Sequence, residues 1–222
     1  MSSRPGTQIT LNARSPLAQP GADPSSTAWT KGDRSVNTEG TTLKVVRYNS
    51  SEALRYADEI KAIYLAAHQR QQGNPWYSPA KFWERLEDLY APIPGFELAA
   101  GWRDGHLVGY AFGTPYQWSA EVRDKAAQVF PELVAEIADA PVYIFREFSV
   151  HPDHQRQGYG RIIHDAALAE RPERLAYLMV RVENPARANY VSWGWQAIGQ
   201  ARPLADWPLM DEMAKPLPAT SN

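Results

Sequence analysis

The sequence predicts an α/β domain with helices packed on a twisted, partly parallel sheet. Two strand-like runs flank Asp104-Gly105, a strong hairpin signal. Between residues 142 and 194, strand, helix, strand and helix patterns alternate. The chain is long enough to bury a full core: 222 residues, 44% hydrophobic and 22% charged, close to ordinary globular usage.

The elements follow in order. Residues 1–41 scatter Pro, Ser, Thr and Gly among few apolar residues. Such a segment buries too little to offset its ordering entropy and reads as a disordered or loosely docked tail. The domain is expected over 42–218, with a short tail at 219–222. Residues 43–48 (LKVVRY) form a first strand. Ser51 is placed to cap a helix reaching about Gln72, with Leu54, Ala57, Ile60, Ile63 and Tyr64 on one face. Breakers at 73–79 predict a loop. Ser78 then caps a second helix with Pro79 in its first position, carrying Phe82, Leu86 and Leu89. Residues 96–102 and 106–112 form the hairpin. Residues 118–138 have helical spacing broken at Pro131, 142–150 form the clearest strand, and 159–170 form a helix. A strand at 175–182, a short helix from Asn184 to Gly194 and one or two final strands complete the chain.

Composition excludes several functions. There is no cysteine, so a disulfide scaffold, a thiolate nucleophile and Cys-type zinc sites are ruled out. A net charge of −2 excludes the strongly basic surface that grips nucleic acid. Mean hydropathy is −0.48, and no run of about 18 apolar residues predicts a membrane span. The opening residues lack the apolar core of a secretory signal, so the cytoplasm is the expected location.

The most informative stretch is 142–160. A buried strand runs into His151-Pro152-Asp153-His154, then Gln155-Arg156-Gln157-Gly158-Tyr159-Gly160, then a helix with Tyr159, Ile162, Ile163 and Ala166 on one face. A loop at a helix start gathers unpaired N–H groups at the positive end of the helix dipole. Gly158 and Gly160 let backbone approach a ligand, and Arg156 and Arg161 add donors suited to phosphate. The combination is a pyrophosphate cradle. It lacks both the Gly-Lys-Ser/Thr ending of a Walker loop and the G-x-G-x-x-G dinucleotide fingerprint. A tight strand–helix connection would carry the same glycines without a ligand.

The arrangement Glu147-Phe148-Ser149-Val150-His151-Pro152 followed by Gln155-x-x-Gly158-x-Gly160 resembles the acetyl-CoA-binding motif of the GNAT superfamily of N-acyltransferases. Asn184-Pro185-Ala186 and Tyr190-x-x-x-Gly194-Trp195 resemble a second segment of that family, with Trp in place of its usual Phe. The resemblance runs from about Leu43 to the C-terminus. It implies a GNAT fold: a mixed twisted sheet of about six to seven strands flanked by helices, splayed at two central parallel strands. It also implies direct acetyl transfer from acetyl-CoA to an amine. The loop amides and side chains of Gln155, Arg156, Gln157, Gly158, Tyr159, Gly160 and Arg161 would then hold the pyrophosphate. The edge of Phe148, Ser149 and Val150 would pair with the pantetheine arm, and Asn184 would touch it while capping its helix. A backbone N–H near Phe148 or Ser149 would face the developing oxyanion.

Tyr190 is the expected general acid toward the leaving thiolate. Glu147 is the candidate base, direct or through water. Strict alternation places Tyr143, Phe145, Glu147 and Ser149 on one face of the strand, and Val142, Ile144, Phe148 and Val150 on the other, with Arg146 intruding. Packing for Tyr190 and a structural ion pair for Glu147 are the plain alternatives. His151 and His154 sit on a proline turn with no evident third ligand, so no metal is expected. His68 and His164 read as isolated core or surface residues.

By the family's layout, Trp76, Tyr77 and Trp83 would line the acceptor site, with Phe82, Trp195 and Trp207 near them. Such an aromatic wall suits a flat, apolar or cationic acceptor. A small-molecule primary amine is the expected partner, with a peptide or protein amine as the alternative and a non-catalytic acyl-CoA-binding regulatory domain as the other. No nucleic acid or membrane partner is expected. Members of the family often pair through their last strands, which implies a homodimer as one assembly.

Overall fold

In the computed structural model, residues 34–38, 41–69, 78–203 and 207–219 are described. One eight-stranded sheet organises them, in the order β1-β2-β3-β4-β5-β6-β8-β7. The strands are β1 (Arg34–Thr38), β2 (Thr41–Tyr48), β3 (Glu97–Arg103), β4 (His106–Tyr116), β5 (Val142–Val150), β6 (Leu175–Arg181), β7 (Gln196–Ala201) and β8 (Met210–Pro216). Every neighbouring pair is antiparallel except β5 and β6. The mixed, helix-flanked sheet matches the expected architecture, with more strands than the six or seven anticipated. The addition is β1, which pairs Arg34 with Val45 and lies within the segment read as a tail. Its sequence, RSVNT, has a single strongly apolar residue, so hydrophobic patterning gave no sign of it.

The helices form where capping and patterning place them, with one change of cap. Asn49, not Ser51, starts α1 (Ser50–Ala53): its Oδ1 accepts from the Glu52 amide at 3.1 Å while Glu52 Oε2 accepts from the Asn49 amide at 3.1 Å. A 3₁₀ turn over Leu54–Tyr56 leads into α2 (Ala57–Ala67). Ser78 caps α3 (Pro79–Glu84) as expected, and a π-helical turn, Arg85–Tyr90, extends it. Pro131 separates α4 (Ala120–Val129) from α5 (Pro131–Ile137), since proline lacks the N–H that would continue the first helix. Two further helices are α6 (Tyr159–Leu168) and α7 (Ala186–Ser192).

The helices divide the sheet's two faces. On one face, α6 buries Ile163 and Ala167 against Leu43, Val108, Phe145 and Val150. On the other, α2 and α3 lay Ile60, Tyr64 and Phe82 over Tyr110 and Phe112. Further along that second face, α4 and α5 bury Val122, Ala126 and Val134 beside Tyr177 and Ile198. Burial of each large side chain contributes about 1.5–3 kcal/mol. Strand β5 therefore lies under a seam between two helical layers.

The strict alternation expected for β5 does not hold. Phe112 pairs with Glu147 and Gly113 with Phe145, so Arg146 is an extra residue in a β-bulge. The bulge reverses the side-chain parity. Tyr143 and Phe145 join Val150 in the core under α6, with Phe148 packed against it. Val142 and Ile144 belong to the opposite face. Glu147 still points away from the α6 core, because it follows the bulge.

Candidate active site

Strands β5 and β6 pair only at Tyr143↔Ala176 and Ile144↔Tyr177. Beyond that point they part, and a cleft of ≈ 210 Å³ opens between them. Glu147 and Phe148 line it from β5, Leu178 and Val180 from β6, and Asn184 and Tyr190 from the segment after β6. The open edge of β5 presents backbone groups. The Phe148 amide donates to Glu147 Oε1 at 3.3 Å, and the Val150 carbonyl accepts from Gln155 Nε2 at 2.9 Å.

Beyond Val150 the chain turns sharply into α6. Arg156 (φ 59°) and Gly158 (φ 82°) both take left-handed conformations, which only Gly158 adopts without strain. Gly158 precedes the helix with no side-chain cap. The amides of residues 156–160 find no backbone acceptor among the described residues, so they stand available at a ten-residue helix's positive end. Gly160 packs so closely that an added Cβ would lie 3.1 Å from Phe148 Cζ. Uncapped amides and a glycine cradle beside an open strand edge fit a diphosphate with an extended arm.

The side chains of the turn are partly engaged with the protein. Gln155 reaches back to β5 rather than outward. Gln157 Nε2 donates to the Asp153 carbonyl at 3.0 Å, and its Oε1 accepts from Arg103 at 3.3 Å. Arg161 Nε lies 2.5 Å from Asp165 Oδ2. Tyr159 is buried in the core with the rest of the inner face of α6, and Ser149 is buried beside Glu147 and Tyr110. His151 Nδ1 accepts from the Asp153 amide at 3.3 Å, a turn-stabilising role.

Tyr190 is held by rings. Phe145, Trp193 and Trp195 meet it edge-on with centroids 6.3, 5.8 and 6.0 Å away. Behind them, buried His164 accepts from Trp195 Nε1 at 2.8 Å and donates from Nδ1 to Asp165 at 2.8 Å. Burial lowers the His164 pKa and keeps the ring neutral in that position. Burial, with a smaller contribution from the Glu147 charge, raises the Tyr190 phenol above its ordinary value. Desolvation lifts Glu147 to about 7, opposed by the Phe148 amide and the positive charge of Arg85. Asn184 lines the cleft, and its Oδ1 accepts from the Ala186 amide at 3.0 Å; the N-cap position of α7 itself falls to Pro185 rather than to the expected Asn184.

The acceptor-site expectations fare differently. Trp76 and Tyr77 lie outside the described residues. Trp83 is not at the cleft: the Lys61 ammonium sits 4.6 Å over its ring. His68, read as isolated, lines the cleft instead. Its Nδ1 donates to the Tyr64 carbonyl at 2.9 Å, and burial lowers its pKa. A single histidine near a helix end carries no sequence signal of its neighbours. Only the tertiary fold brings it to the cleft that Glu147 also lines.

A split parallel pair, a strand edge able to take an extended arm and a phosphate-ready helix start define a coenzyme A-dependent acyltransferase. The description "Acetyltransferase (GNAT) family" matches residues 57–195, so the chain belongs to that family of N-acetyltransferases, which use acetyl-CoA and act on amines. No curated protein matches by sequence. The ribosomal-protein-S18-alanine N-acetyltransferase of Escherichia coli superposes with a TM-score of 0.52 at 19% identity, covering 81% of this chain and 96% of that one. An acetyltransferase from Thermus thermophilus gives 0.55 at 16% identity, covering 79% and 97%. At these identities the likeness is one of fold. Among the described residues, no helix is long and apolar enough to cross a membrane.

Proposed function

We propose that this protein transfers an acetyl group from acetyl-CoA to a primary amine of a small molecule, directly, with both substrates bound. The observation that carries the reading is the placement of Glu147 and Tyr190 on one narrow cleft where β5 and β6 separate. Acetyl-CoA supplies an activated thioester. The residues of the chain supply position and proton traffic. Amides of residues 156–160 hold the diphosphate, and the open edge of β5 aligns the arm. Holding two reactants in register supplies much of the rate.

Glu147 accepts the proton of the incoming ammonium at a carboxylate oxygen. A pKa of about 7 keeps it partly ionised and basic near neutral pH. The Phe148 amide, now shared with Glu147, is the donor nearest the developing oxyanion. Tyr190 remains protonated through the neutral range and donates from its hydroxyl toward the leaving sulfur. The cytoplasm and a homodimer complete the proposal.

Calorimetry with coenzyme A and a thioester-consumption assay across an amine library test the reading. Tyr190→Phe is expected to lower kcat by about a hundredfold while leaving coenzyme A affinity within about threefold. Unchanged turnover would remove the acid role. Binding without turnover on any amine would favour the regulatory-domain alternative.

A further inference from the structure

The acceptor side of the cleft carries a cation that the chemistry above does not use. Arg146 is the extra residue of the bulge, and a bulge sets its side chain beside that of Glu147 rather than opposite it. Its Nε donates to Thr114 Oγ1 at 3.3 Å. Its guanidinium lies 4.7 Å from the Tyr90 ring centre and 5.8 Å from that of Tyr116. Two tyrosine rings, the Thr114 hydroxyl and a hydrogen bond with Tyr90 hold it without neutralising it. Arg171 and Arg187 have carboxylate partners in Glu173 and Asp211. Among the described residues, Arg146 forms no ion pair, and it lines the cleft.

A half-buried guanidinium with no anion is unfavourable, and its planar fork matches a carboxylate with two parallel hydrogen bonds. Arg181 lines the same cleft, and the charge of Arg85 reaches Glu147. A purely cationic or apolar acceptor, as the aromatic residues suggested, would leave Arg146 unpaired.

We infer that the acceptor carries a carboxylate beside its reacting amine, bound by Arg146 while Glu147 faces the amine, as a compact amino acid would present them. The inference deepens the acetyl-transfer reading and rests on it. Arg146 and Glu147 are consecutive residues that both line the cleft, so one acceptor can meet both.

The test compares α-amino acids with their primary amides, which keep the amine and lose the negative charge. Rates are taken at saturating acetyl-CoA and referred to free-amine concentration. The acid is expected to exceed the amide in kcat/KM by at least about thirtyfold. Arg146→Met is expected to bring that ratio below about threefold, with Arg146→Lys between, because lysine keeps charge without the fork. A parent ratio below threefold, or a ratio preserved in Arg146→Met, overturns the inference. Should the variants fail to fold, competition on the parent decides: the deaminated carboxylic acid inhibits and its amide does not. Equal or absent inhibition by the two overturns it as well. If no amine is turned over, the acetyl-transfer reading falls by itself. Calorimetric binding of the deaminated acid to the coenzyme A-loaded protein then judges Arg146 separately.

Discussion

The edge of β5 that faces β4 is paired over eight positions, from Gly109↔Val150 to Tyr116↔Val142, whereas the edge facing β6 is paired over two. The same nine-residue strand thus has one closed side and one open side. On the closed side, backbone donors and acceptors satisfy each other and the register is fixed. On the open side, Phe148 and Val150 borrow partners from Glu147 and Gln155, which a ligand can displace. The closed edge provides the rigidity that lets the open edge stay open.

The largest effect is expected where the closed edge is tightest. A Cβ at Gly113 would stand 2.3 Å from the Ile144 carbonyl oxygen and 2.4 Å from Tyr143 Cζ. Gly113→Ala should therefore cost about 3 kcal/mol, read as a lower urea midpoint. A loss under about 0.5 kcal/mol would show that this edge yields easily, and the contrast between the edges would fail.

Glu147→Gln is the next test and works on both activity and stability. Turnover should fall by roughly ten- to a hundredfold, and the rise of kcat/KM through pH of about 7 should vanish. The stability effect has the opposite sign. The folded carboxyl titrates at about 7 and the unfolded one near 4.5, so the native state holds the extra proton between those values. Stability of the parent falls as pH rises through that window. Glutamine removes the penalty, and thermal unfolding at pH 8 should show a gain on the order of 1–3 kcal/mol that shrinks toward pH 4. A gain that is the same at both pH values would mean that Glu147 is not desolvated as described.

Smaller effects sharpen the open edge. Gly160→Val must displace Phe148, 3.1 Å from the added Cβ, and should weaken coenzyme A binding about tenfold by calorimetry. Gln155→Ala deletes the 2.9 Å bond to the Val150 carbonyl. It should cost about 1 kcal/mol of stability and shift coenzyme A affinity by no more than about threefold. A larger affinity loss would return Gln155 to the phosphate site.

Much of the site was legible because its signals are local. Gly158 and Gly160 announce a turn before a helix, and Asn184 and Tyr190 fall just before and within one short helix, all within a few residues of their neighbours. What escaped depends on pairing between distant strands. The bulge at Arg146 exists only because Gly113 of β4 faces Phe145, a register no single strand encodes. Alternation therefore misassigned Tyr143 and Phe145, while the intrusion of a charged residue into an apolar run was the visible trace of the bulge. His68 gave no trace at all. Trp83 misled for the converse reason: an aromatic residue on an amphipathic helix can bind a neighbouring lysine as readily as a substrate.

The extra residue in β5 has an engineering consequence. Positions 146 and 147 both line the cleft, whereas Phe145 and Phe148 pack on the α6 side. Substitution at either codon would alter the charge of the cleft, but it would also disturb the Tyr90 and Tyr116 contacts of Arg146 or the proton traffic proposed for Glu147. Deleting Arg146 would restore plain alternation with Phe145 and Phe148 still turned toward α6 and Glu147 still turned away, removing the cation while both aromatic anchors stay in place.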